Sequence, residues 1–225
     1  MIDVLAAIRT RKSIRGYKPD PVPQEILSEI IETAKRAPSA MNTQPWEIVV
    51  VAGQVLDNIR QANLELRRAG ANPEKKVPNK PYEGKYRQRQ VDLAIQLFKL
   101  MGIAREDKEK RAAWMERGYR FFDAPAAIIL AADNSLDEAT AQFDLGAITQ
   151  TICLTALSYG LGTCIEDQGI AFPEAIRRFT AIPASKRIVA GIAIGYPDWD
   201  FPANRVESER EPLAEFVTWH GFDQA

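Results

Sequence analysis

The sequence predicts one domain in which helices alternate with a few buried strands, and three observations point that way. Its 225 residues, 46% hydrophobic and 26% charged, suffice for a single sizeable core and have the balance of an ordinary globular chain. Three apolar runs, at 47–53, 126–132 and 187–195, have the length and the β-branched content of strands. Between them lie longer segments whose apolar residues recur at helical spacing.

The elements follow in order. Residues 2–10 read as a short helix behind an Asp3 cap, and 24–37 as a longer one, since Ile26, Leu27, Ile30, Ile31 and Ala34 share a face and Pro38 ends it. "EIVVVAG", between Pro45 and Gly53, predicts a buried central strand. Helical spacing returns at 55–68. Asp123-Ala124-Pro125 introduces a second apolar strand at 126–132, and 137–159 is a long helix almost without charge after Asp144. A helix so apolar on most faces is buried in the core or against a partner subunit. Gly160 and Gly162 stop it before "TCIE", and 187–195 supplies another central strand.

Several classes of function lack material. The run at 126–132 is far short of the roughly 20 residues of a membrane helix, and Asp3 and Arg9 interrupt what a signal peptide would keep apolar, so a soluble, cytoplasmic chain is expected. Cys153 and Cys164 form neither a CxxC pair nor a disulfide framework. With His220 the only histidine, a His-based metal site or a Ser/His/Asp triad is unsupported, and if the chain is an enzyme its hard chemistry belongs to a cofactor.

Charge is segregated. Residues 60–120 hold 16 Lys and Arg against 8 Asp and Glu, in a chain whose formal net charge is -1. Within this span 69–86 mixes Pro, Gly, Asn and Lys without periodicity, before helical spacing at Val91, Ala94, Ile95, Phe98 and Met101. The reading is a single domain, 1–225, with a basic excursion or lid at about 69–120 built from a loop and one or two helices. A solvated basic surface explains the same composition, and a pI near 6.0 argues against nucleic acid.

Two stretches carry candidate chemistry. "RTRKSIRGYKP", 9–19, holds five cations and no acid. Cations after a helix complement its dipole. But Arg11, Ser13 and Arg15 alternate along extended chain, so two guanidiniums and a hydroxyl face one way and Ile14 the other, a pattern that suits a phosphate. In "APSAMNTQPW", 37–46, Pro38, Ser39 and Asn42 are sufficiently explained as a turn, yet their amides and hydroxyl also suit the edge of a planar heterocycle. Trp46 reads as core.

Taken in order, R-x-S-x-R at 11–15, P-S-x-x-N-x-Q-P-W at 38–46, G-L-G-T-C at 160–164 and I-G-Y-P-D at 194–198 with N-R-x-x-S-x-R at 204–210 resemble the FMN-dependent nitroreductase family. The resemblance covers nearly the whole chain. G-I-x-R-E-D-K at 102–108, F-F-D-A-P at 121–125 and R-E-P-L-x-E-F-V-x-W-H-G-F at 210–222 match one branch of it. It implies an α+β fold, with a central, mostly antiparallel sheet flanked by helices, and a homodimer holding FMN at its interface. Arg11, Ser13, Arg15 and Arg210 would meet the ribityl and phosphate groups. Pro38, Ser39, Ala40 and Asn42 would reach the ring from the partner subunit, and the backbone of Thr163, Cys164, Ile165 and Glu166 would lie near its edge. Lys12 stands where many members have Arg, and Ser208 where some are basic; Arg205 would compensate. Residues 82–89 would form a mobile lid, with Tyr82, Tyr86 and Arg87 facing substrate.

The activity implied is transfer of two electrons from NADH or NADPH to a nitroaromatic, quinone or related acceptor by a ping-pong mechanism, with no essential side-chain acid or base and no metal. Two alternatives stand beside it. The same fold can carry reductive dehalogenase chemistry, for which Glu83, Tyr86 and Lys99 are the right residue types, or the basic excursion can belong to a non-enzymatic binding protein.

Overall fold

The structure, a computed structural model, describes residues 2–74 and 80–222; residues 75–79 of the basic excursion lie outside the described residues. Its strands are β1 (Glu47–Ala52), β2 (Ala126–Asp133), β3 (Gly162–Glu166) and β4 (Lys186–Gly195). Its helices are α1 (Val4–Thr10), α2 (Gln24–Ala34), α3 (Gly53–Arg68), α4 (Gly84–Leu100), α5 (Lys108–Tyr119), α6 (Glu138–Leu157) and α7 (Pro173–Thr180). The strands form one sheet in the order β1-β2-β4-β3, each neighbour antiparallel, so the α+β expectation holds.

The alternation of side chains along β2 divides the core in two. Ala126, Ile128, Leu130 and Ala132 face α2 and α6, where Ile30, Leu145, Ile148 and Ile152 are sealed from solvent. Ala127 and Ile129 face the other layer, with Leu56 and Ile59 of α3, Trp114 of α5 and Ile176 of α7. The apolar β2 sequence therefore reports cover on both faces.

Local signals set the helix ends. Asp3 accepts from the Ala6 N–H at 3.1 Å to cap α1, and Asp137 accepts from the Thr140 N–H at 2.9 Å to cap α6. Gly160, at φ 70°, takes the left-handed turn after α6. α2 stops at Ala34, short of the expected 37, because the residue before Pro38 is kept out of the helical region. No helix among the described residues is long and apolar enough to cross a membrane.

Two readings need correction. Residues 47–53 do not form a central strand: among the described residues β1 pairs with β2 alone, and Val51 is its one buried residue. An apolar run shows that side chains want cover, not that both backbone edges are paired. α7 has no counterpart in the sequence reading, although Pro173 opens its first turn and Ala175, Ile176 and Phe179 turn inward.

The turn after α5 is unusual. Phe121, Phe122 and Asp123 are all left-handed, at φ 54°, 52° and 60°, which costs on the order of 1 kcal/mol or more for each residue. Burial of both rings offsets that cost, and basic residues hold the backbone. Arg60 donates to the carbonyls of Arg120 (2.9 Å) and Ala124, and Arg117 donates to that of Phe122 (3.2 Å). Asp123 is gripped by Arg120 and Arg117 at 2.6 and 2.9 Å. Burial raises its carboxyl, but these cations leave it below the usual carboxylate range.

At the sheet margin, Asp133 accepts from the Ser135 hydroxyl (2.6 Å), the Ser135 N–H (2.8 Å) and Lys186 (3.0 Å), while Lys186 also pairs with Glu47. These contacts hold Asp133 far below the ordinary carboxylate range. Its stabilising contribution is present above the unfolded value of about 3.9 and is lost as pH falls. Asp133→Asn should therefore lower the thermal midpoint at pH 7, and the gap from the wild type should close as the pH drops below about 4.

Candidate functional site

The cationic segment leaves α1 in extended form and joins β3 through a single bridge. Ser13 bridges Thr163 in parallel, and the Ile14 N–H donates to the Thr163 carbonyl at 2.9 Å. Ile14 is buried, and a side chain at Gly162 would collide with it (2.5 Å). The alternate residues Arg11, Ser13 and Arg15 stay half-buried. Arg11 caps α1 and satisfies the dipole explanation, but Arg15 lies beyond the reach of that helix. Among the described residues, no ion pair engages Arg11 or Arg15, whereas Lys12 lies 3.8 Å from Glu207.

The segment is held by Asn204, which is buried and which the sequence reading did not single out although it opens the N-R-x-x-S-x-R motif. Its Oδ1 accepts from the Arg15 and Gly16 N–H groups at 2.7 and 3.2 Å, and its Nδ2 donates to the carbonyls of Gly16 and Asp198, both at 2.7 Å. Gly16 must be glycine because a Cβ there would stand 2.3 Å from the Phe201 ring. Arg117 packs over the same ring at 4.7 Å and donates to the Arg15 carbonyl at 3.2 Å.

Beside this row lies Gly162–Glu166. Cys164 and Glu166 point inward and Ile165 outward. Burial pushes the Cys164 thiol up to about 11 and raises Cys153, so neither is a ready thiolate. Burial also pushes Glu166 up to about 8.

The 38–44 turn is displayed rather than buried. Met41, Asn42 and Gln44 have positive φ, and Met41 is 98% exposed. Ser39 holds the turn by accepting from the Gln44 N–H at 2.9 Å. Asp144, buried on α6, accepts from the Ala40 N–H with both oxygens, at 3.1 and 3.2 Å. Sequence alone gives this anchor no mark, since Glu138 on the same helix is a carboxylate too and stays exposed. Pro38, Ser39, Ala40, Ala139, Thr140, Phe143 and Asp144 line a cavity of about 400 Å³.

The expected mobile lid is mostly helix. α4 begins at Gly84, so of 82–89 only the first two residues precede it, and Lys85 and Arg89 flank the Tyr86 ring. A short turn of Lys, Arg and Gln carries no apolar period, which is why the helix start was invisible. Tyr82 and Tyr86 are exposed, and Arg87 bonds to Gln90 on its own helix. Tyr86 and Lys99 stand at opposite ends of α4, about 20 Å apart, so they do not make one grip with Glu83. Arg210 donates to the Ser208 carbonyl and hydroxyl, both at 2.8 Å, and lines a cleft of about 600 Å³ with Lys85, Gln88, Arg89 and Asp92. Arg205 is exposed.

Comparison with known proteins gives this arrangement its context. Residues 8–196 match the model of the nitroreductase family, and the chain belongs to that family. It is 34% identical over 215 residues to the nitrobenzene nitroreductase of Ectopseudomonas oleovorans, covering 94% of each chain. It is 32% identical over 223 residues to the 4-nitrobenzoate reductase of Pseudomonas putida, covering 99% of this chain and 97% of that one. The crystal structure of the FMN and NADPH-dependent nitroreductase NfnB from sphigopyxis sp. strain HMH superposes with a TM-score of 0.92 at 28% identity, covering 98% of this chain and 100% of that one.

Asn204→Ala should test the clamp. It leaves the N–H groups of Arg15 and Gly16 without the amide oxygen, and a buried unsatisfied group costs about 1–3 kcal/mol. The expected loss, on the order of 3 kcal/mol, is measurable by urea denaturation of the cofactor-free protein.

Proposed function

We propose that this chain is an NAD(P)H-dependent FMN oxidoreductase that delivers two electrons to a nitroaromatic, quinone or related acceptor. The observation that carries the reading is the Arg11–Ser13–Arg15 row: half-buried, without carboxylate partners among the described residues, and pinned to β3 in a chain of the nitroreductase family. Half-buried guanidiniums without an acid call for an anion from outside the chain.

When bound, FMN supplies the redox chemistry, accepting hydride from the nicotinamide and passing two electrons on. The chain's residues bind and orient it. Arg11, Ser13 and Arg15 take the phosphate and ribityl end, with Lys12, Arg205, Ser208 and Arg210 as further contacts. The Thr163–Glu166 backbone offers N–H donors to the ring edge. Pro38, Ser39, Ala40 and Asn42 serve the neighbouring chain's ring, and Tyr82, Tyr86 and Arg87 border the acceptor. No side chain is assigned as acid or base.

The reading includes a homodimer. Ile148, Ile152 and Leu161 are buried in this chain's own core, which leaves a partner the outer stripe of α6, where Phe143 is 80% exposed. Val4, Leu5 and Ile8 of α1 and Leu213, Phe216, Trp219 and Phe222 near the C-terminus are also exposed, more apolar surface than a monomer ordinarily leaves to water. The two free cysteines fit a reducing, cytoplasmic setting.

The purified protein should sediment as a dimer with flavin absorption that NADH or NADPH bleaches under anaerobic conditions and nitrobenzene or benzoquinone restores. Failure to take up FMN overturns the reading. Arg15→Ala should weaken FMN about ten- to a hundredfold, the range of a charge-assisted bond of about 1.5–3 kcal/mol, while riboflavin, which lacks the phosphate, is nearly unaffected. Equal weakening of both ligands would assign Arg15 to the scaffold instead.

A further inference from the structure

Ile165 and Glu166 end β3 on opposite faces. Ile165 leans outward, 44% exposed, while Glu166 is buried beneath the same peptide. Its Oε2 accepts from the Gly169 N–H at 2.7 Å, and the Gly169 carbonyl accepts from Asn63 at 2.7 Å, so the 166–169 turn is held from both sides. Among the described residues its Oε1 has no hydrogen-bond partner. That oxygen sits between two glycines: a Cβ at Gly169 would approach it to 2.4 Å, and one at Gly191, its partner on β4, to 3.0 Å.

The surroundings favour an uncharged acid. Phe121, Ile170 and Gly191 face it from the left-handed turn, the 167–170 segment and β4, and carry no charge. The titratable neighbours are Asp167, which raises it further, and Cys164 and Tyr17, whose protons it helps to retain; Arg15 acts on those two. A buried carboxylate ordinarily needs two or three donors, and the N–H groups of Gly169 and Gln168 do not outweigh burial here.

We propose that Glu166 is a positioning residue: as a neutral acid it latches the 166–169 turn and fixes the Ile165–Glu166 peptide presented to the flavin, and once its proton is lost the cost of a charge buried against Phe121 and Ile170 outweighs the strengthened Gly169 bond and releases that peptide. The inference rests on the reading that Thr163–Glu166 meets the ring.

The test is FMN and riboflavin affinity between pH 6 and 9.5 for the wild type and Glu166→Gln, with thermal midpoints of the flavin-free proteins. Gln still accepts from the Gly169 N–H but cannot ionise. Wild-type affinity for both ligands should fall several-fold through about pH 8, and Glu166→Gln should stay flat. The FMN phosphate titrates alike in both proteins, and riboflavin removes it altogether. For stability, the folded value is raised above the unfolded one of about 4.3, so the wild type's stabilisation is full below that pH and lost as pH rises through about 8. The midpoint advantage of Glu166→Gln should therefore grow between these values and then level off. Midpoints that diverge while wild-type affinity stays flat, or an inflection shared by both proteins, overturn the positioning role, and so do midpoints that never diverge. Should Glu166→Gln not fold, the wild-type affinity profile decides alone. A wild type that binds neither flavin at any pH refutes the functional reading itself, and the positioning role with it.

Discussion

Asn204 uses both atoms of its amide twice, on Arg15, Gly16 and Asp198, and the geometry of the candidate site depends on it. A segment such as 11–16, with four polar or charged side chains among six residues, has no reason of its own to lie along β3. The amide replaces water for backbone groups that become buried there, and the Ile14 side chain anchors the segment on its other face. The consequence is that Arg11, Ser13 and Arg15 share a face at a spacing that the sheet imposes. This joins the beginning of the chain to residues nearly 190 positions later.

The basic span 60–120 is only partly a solvated surface. Arg60 and Arg117 direct their guanidiniums inward to carbonyls around the Phe121–Asp123 turn, and Arg120 joins Arg117 on Asp123. An arginine fork suits this task, because one side chain can satisfy several carbonyls whose strand or helix has ended. The same turn lowers Phe121 into the core against Glu166, and Arg117 reaches the Arg15 backbone. Structural arginines thus connect the excursion to the site.

The parts of the site differed in how legible they were. The R-x-S-x-R alternation could be read directly, since extended chain before Pro19 leaves one periodicity, and the burial of Ile14 agrees with it. Asp144 and Asn204 were printed in the sequence but silent, because a polar residue reveals a buried partner only once the fold supplies one. α4 was misjudged at its start: polar first turns carry no hydrophobic period, so its true beginning at Gly84 shows only in the backbone.

What the sequence determined by itself was the set of elements with strong periods, their caps, the buried character of β2 and the chemistry of the cationic row. Those depend on interactions within a few residues or on transfer from water, and both are written locally. Tertiary structure decided that β1 is an edge, that α6 buries Ile148 and Ile152 yet exposes Phe143, and that Glu166 faces an apolar wall while Ile165 faces out. Each of these depends on which distant segment supplies the neighbour. An apolar or titratable side chain specifies the environment it prefers, and only the packed chain specifies the environment it receives.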